Sequence, residues 1–167
     1  SLGRPPGPAG FGHYKKIMDQ SDGNYLVVAD DVWKSTEAQA LYKQASLEDV
    51  VNTIFHNLFG RNALPAGIDY WAAQVRSGSI SISELPRSIA SNAGPADKKV
   101  LGAKLRAAKS LMEAIDMGRA AAAYAANIDF GRQYLNCITD GRAVDLTVSM
   151  INAAITKLVA GQNYTCP

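Results

Sequence analysis

A stretch of sequence that recurs 57 positions later constrains this chain more than any other feature. Gly3-Arg4 returns as Gly60-Arg61, and Pro8-Ala9-Gly10 returns as Pro65-Ala66-Gly67, without a gap. At the same offset Phe11 pairs with Ile68, His13 with Tyr70, Tyr14 with Trp71, Met18 with Val75, Val28 with Leu85 and Val32 with Ile89. Apolar character therefore repeats beyond the shared glycines, which marks a duplicated structural unit.

Each part of the motif has a physical reading. Gly60 follows the apolar run 50–59, where a left-handed glycine would stop a helix. Arg61 then stands where its guanidinium can reach the free carbonyls of that helix end, or a carboxylate. Pro65 and Ala66 open a second helix. Gly67 is expected to let two helices approach closely. Tyr70 and Trp71 are expected to supply buried area, as is Tyr14 in the first repeat. The expected structural residues are thus Gly3, Arg4, Gly10, Tyr14, Gly60, Arg61, Pro65, Gly67, Tyr70 and Trp71.

The rest of the chain reads as helices joined by short turns. They are expected over residues 24–44, 46–59 (with Ser46 as N-cap), 65–75, 83–93 (with Ser83 as N-cap) and 96–117. An Ala-rich segment at 120–123 and a final helix over 143–159 follow. The long helix is expected to present Val100, Leu101, Leu105, Leu111, Met112 and Ile115 inward. In the last helix Val144, Val148, Ile151, Ile155 and Leu158 step by four and three, a seam that packs on a neighbouring helix. The fold class is all-α: one bundle of about seven or eight helices with two related N-terminal units. Its segments are 1–45, a truncated first repeat; 46–95, the second repeat; and 96–167, packing on it.

At these residues the chain resembles a bacterial family of unknown function, DUF family 4214. The resemblance is carried by Ile54-Phe55-His56-Asn57-Leu58-Phe59-Gly60-Arg61 and Pro65-Ala66-Gly67-Ile68-Asp69-Tyr70-Trp71. It extends over about Leu47 to Ala160, with a truncated copy from Leu2 to about Thr36. Such modules occur in S-layer, RTX-type secreted, adhesin and some phage virion proteins. The family usually carries Pro-Asp after Gly-Arg, with the Asp capping the next helix. Here Ala63-Leu64 and Pro6-Gly7 stand instead, so the cap is expected from Asn62.

Composition narrows the function. With 17 basic and 15 acidic residues the net charge is +2, and no basic stripe interleaved with aromatics favours nucleic acid. The longest apolar run, near Ala120 to Ala126, falls short of the roughly 20 residues that span a bilayer. Residues 1–12 lack the apolar core of a signal peptide. His13 and His56 form no zinc or di-iron motif, and His13 is expected as a packing or turn residue. The glycines of 3–12 are read as a turn, since no Lys-Ser/Thr follows as in a phosphate loop. Asp19, Asp22, Asp30 and Asp31 are weak calcium candidates out of register with an EF-hand, solvated carboxylates being the preferred reading. Cys137 and Cys166 either bridge, tying back the tail and arguing for an extracellular setting, or remain a buried residue and a free thiol. The unpaired reading carries more weight on the sequence.

Three functions compete. The preferred one is a non-enzymatic structural or interaction module of an extracellular, S-layer-like or adhesin-like assembly. It would have protein partners, self-association as a homo-oligomer is expected, and glycan is a further candidate ligand. A small phage virion structural protein is the alternative. A helical cell-wall glycan hydrolase comes third, with Asp31, Glu37, Glu48 and Asp49 expected as ordinary helix-surface carboxylates. No catalytic residue and no cofactor is assigned. Trp33, Trp71, Tyr14 and Tyr70 are read as core in preference to a sugar platform.

Overall fold

The computed structural model describes residues 2–116, 119–139 and 148–166, without the side chains of Arg119, Val148 and Ser149. Ten α-helices and no strand occur among these residues. They are α1 (Pro8–Gln20), α2 (Tyr25–Lys34), α3 (Thr36–Tyr42), α4 (Leu47–Phe59) and α5 (Pro65–Arg76). Then come α6 (Leu85–Ser91), α7 (Pro95–Ile115), α8 (Arg119–Ala126), α9 (Asp129–Asn136) and α10 (Val148–Val159).

The class is all-α, and the count exceeds the expected seven or eight for three reasons. Pro8 starts a helix, so the glycine-rich stretch read as a turn is helical from Pro8 onward. Residues 24–44 form two helices, because the Ser35 side chain accepts from the backbone N–H of Ala38 and caps a new one. Asp129–Asn136 adds a short amphipathic helix.

Local chemistry sets several boundaries. Ser46 and Asp49 cap α4 reciprocally, and Gly60 ends it in the left-handed region at φ 68°. This capping box satisfies two helix-end donors at once. A similar pair precedes α6, but it is Ser81 and Glu84 that exchange bonds. Ser83, the expected cap, instead donates its hydroxyl to Asp30. Asn62 does not cap α5 either: Leu64 holds that position without a side-chain bond.

Two apolar clusters meet along α7. Val50, Val51, Ile54, Phe55 and Phe59 of α4 pack with Trp71, Leu85 and Ile89, and Leu101 of α7 lies against them. On the other side Ala103, Ala107, Leu111 and Ile115 pack with Tyr124, Phe130, Tyr134 and Leu158 of α8, α9 and α10. The helix period thus puts small alanines inward, where helices can approach closely, and turns Leu105 outward at 61% exposure. In α10 the most buried residues are Ala154 and Leu158, with Ile155 beside them. Val144 lies outside the described residues, as does the Val148 side chain. Cys137 at the end of α9 is bonded to Cys166, which ties the tail down beside it.

Candidate functional site

The two Gly-Arg steps adopt matching geometries. Gly3 and Gly60 both have φ 68°, a conformation that costs glycine little. Arg4 Nε donates to Glu37 Oε1 at 2.7 Å, and its Nη1 donates to the Pro5 carbonyl at 2.9 Å. Arg61 Nε donates to Asp97 Oδ1 at 2.8 Å, and its Nη1 donates to the Asn62 carbonyl at 2.9 Å. Each guanidinium also places Nη2 on the second oxygen of the same carboxylate, giving a two-point ion pair. Glu37 lies in the first turn of α3 and Asp97 in that of α7. Both arginines therefore staple the chain ahead of one helix to the start of the helix two further along, α1 to α3 and α5 to α7. The carboxylates lie 33 and 36 residues downstream, so this part of the repeat is not in register at a fixed offset.

Around Gly60 the packing is close. A Cβ there would meet the Ile138 carbonyl at 2.8 Å. Arg61 also stacks over Phe55 and Phe59, at 5.5 and 5.9 Å. A small cleft of about 260 Å³ lies beside this pair, between Gly60, Val100 and Thr139. Gly67 differs from expectation: a Cβ there would lie 4.0 Å from Phe55, an ordinary contact that requires no glycine. Trp71 is buried at 8% exposure, whereas Tyr70 is 56% exposed and contributes no core area.

The first repeat carries a larger polar network. Glu37 is shared by Arg4 and Arg132, and Arg132 Nε also donates to the Leu2 carbonyl at 3.0 Å. Burial pushes the Glu37 carboxyl up, but hydrogen bonds and charge from the two arginines outweigh it and hold the group below its usual range. Tyr124, fully buried, donates its hydroxyl to the Pro5 carbonyl at 2.7 Å. A side chain at Gly131 would collide with that hydroxyl. Residues 2–7 are thus pinned against α3, α8 and α9.

Behind this segment lies a cavity of about 800 Å³, within the size range of ligand sites. Tyr14 and Val32 form one side, and Leu58, Leu101 and Leu105 another. Lys104 is the exceptional wall residue, only 4% exposed. Its ammonium donates to the His56 and Asn57 carbonyls at 3.2 and 3.0 Å, the end of α4, and no carboxylate pairs with it among the described residues. Burial pushes its pKa down to about 8.

The remaining candidates disperse. Asp19 pairs with Lys15 at 2.8 Å, and the exposed His13 is hydrogen-bonded to Asp31 at 3.0 Å and lies edge-on to Tyr14. Asp30 accepts from Ser83, and Asp22 sits in a turn with φ 52°. Among the described residues no three His, Cys, Asp or Glu side chains are grouped to hold a metal ion. Glu48 pairs with Arg76, and Asp49 is committed to Ser46. Trp33 stacks on Tyr42 at 5.1 Å and packs against the core cluster that holds Trp71, while Tyr14 lines the cavity. Sequence reasoning missed Arg132, Tyr124 and Lys104, and it placed Glu37 on an open helix surface. Apart from Asp129, three residues before Arg132, the partners of the three missed residues lie 47 to 130 residues away and leave no local signal.

These features define an all-helical repeat domain in which each Gly-Arg step is stapled to a distant helix start. Residues 29–91 match the family described as "Domain of unknown function (DUF4214)". The match begins before Leu47, within α2, and stops at Ser91, short of the expected extension to Ala160. No curated protein and no solved structure matches the chain.

Proposed function

We propose that the chain is a non-enzymatic interaction module of an extracellular assembly, of the S-layer-like or adhesin-like kind. The observation that carries this reading is the exposed apolar surface of the first repeat. Helices α1 and α2 bury no residue fully, and Phe11, Leu26, Val27 and Leu41 on α1 to α3 are 37–49% exposed. Apolar side chains gathered on one unit favour contact with another surface. The Cys137–Cys166 bridge supports an oxidising setting, where such bonds persist. No helix among the described residues is long and apolar enough to cross a membrane.

The test has two readouts. Native mass spectrometry across a concentration series should give assemblies of defined stoichiometry. Alkylation in intact cells should leave both cysteines unmodified until a reductant is added. A chain that stays monomeric and binds no surface fraction overturns the assembly reading. Thiols that alkylate without reduction overturn the extracellular one.

A further inference from the structure

The two repeats bury their matching residues to different depths. In the second repeat Trp71 of α5 and Leu85 and Ile89 of α6 are buried in one core with α4, which runs directly into Gly60. Their counterparts 57 positions earlier are Tyr14, Val28 and Val32, all only half-buried. The difference has a location. Tyr14, Val32, Gly10 and Leu2 all line the 800 Å³ cavity. Their counterparts are Trp71, Ile89, Gly67 and Phe59; three belong to the α4 core, and the nearest neighbour of Gly67 is Phe55 of α4. Beside α1 and α2, the cavity occupies the place that α4 occupies beside α5 and α6.

We infer that this cavity is the seat of an amphipathic helix of the α4 type, presented by a partner polypeptide and ending against Leu2. Three wall residues, Gly10, Tyr14 and Val32, correspond to Gly67, Trp71 and Ile89, which already lie against such a helix once in this fold. The far wall adds Leu58, Leu101 and the exposed Leu105. An apolar stripe such as Val50, Ile54 and Phe55 present is the kind of helix face that settles into an apolar groove. Lys104 adds charge complementarity. Its buried ammonium already binds carbonyls at the end of α4, and a helix C-terminus brings further carbonyls and negative dipole charge. This deepens the reading of the chain as an interaction module and rests on it for the existence of a partner, but not for the shape of the seat.

The probe is a labelled peptide of residues 46–58, which carries the capping serine and all of α4 but Phe59, whose counterpart Leu2 the chain already supplies. It should bind the intact chain saturably and protect amides around Tyr14 from hydrogen exchange. Affinity should fall at least tenfold when the peptide carries Ile54→Asp and Phe55→Asp, or when the chain carries Val32→Asp. Leu64→Asp, on an exposed site elsewhere, should leave it unchanged. Should Val32→Asp unfold the chain, Tyr14→Ser serves in its place. Fusing the same segment directly ahead of Leu2 should raise Tm, and the double-Asp version should not. Equal binding of both peptides, or no gain from the fusion, overturns the proposal. So does a saturable fatty carboxylate such as dodecanoate that fills the cavity while the peptide stays unbound. A monomeric chain that nevertheless binds the peptide overturns only the assembly reading; an assembling chain that ignores it overturns only the seat.

Discussion

Arg132 and Glu37 form an ion pair across 95 residues of chain, joining α9 to the first turn of α3. The same carboxylate holds Arg4, so three segments remote in sequence converge on one side chain. Charge left uncompensated in such a site costs more than the pair contributes.

Glu37→Gln is therefore expected to destabilise the chain by about 2–3 kcal/mol, since Arg4 loses its counter-charge in a partly buried site and Arg132 keeps only the exposed Asp129. Residues 2–7 should become protease-sensitive first, because Arg4 and Arg132 hold them. Asp97→Asn removes the partner of a more exposed arginine and should cost about 1 kcal/mol or less. Urea unfolding of both variants checks the ranking; equal losses would contradict it.

The glycines of the motif should respond oppositely. Gly60→Ala forces a Cβ into a left-handed residue and against the Ile138 carbonyl at 2.8 Å, so a loss of about 2 kcal/mol or more is expected. Gly67→Ala lies inside α5 with ordinary contact at 4.0 Å. Alanine is the better helix former there, and a gain of about 0.5–1 kcal/mol is expected. Thermal melts of the two single variants decide it.

Alkaline stability should pass through a maximum near pH 10. Burial lowers the Lys104 pKa from 10.5 to about 8. Between those values the unfolded chain holds a proton that the folded chain has released, so stability rises with pH, by roughly 2 kcal/mol. Above pH 10 the sign reverses. Burial raises Tyr42 and Tyr134 to about 12, so the unfolded chain loses those protons first and stability falls. Denaturant midpoints at pH 7, 8.5, 10 and 11 trace the curve. Lys104→Met should abolish the rise and keep the fall.

Much of the fold was legible because its signals are local. The Ser46 cap, the α4 stripe, the Gly60 stop and Pro65 at the start of α5 each involve residues within a turn or two of one another. The same locality explains the errors. Ser35 reads as one more residue of a long helix, yet it caps a new one. Tyr70 and Trp71 are adjacent and chemically alike, but the helix turns only Trp71 inward. Leu105 is apolar at a plausible spacing, and only the packing of α7 shows that alanines take the inner positions.

Periodicity, capping and glycine conformation act over a few residues, and they were enough to read the helical class, the duplicated Gly-Arg unit and most helix starts and stops directly from the chain. Other outcomes waited on the packed molecule: which carboxylate each arginine staples, the burial of Lys104 at the foot of α4, and the joining of Cys137 to Cys166. They depend on where distant helices come to lie, and ion pairs, cavities and bridges leave no local period to read.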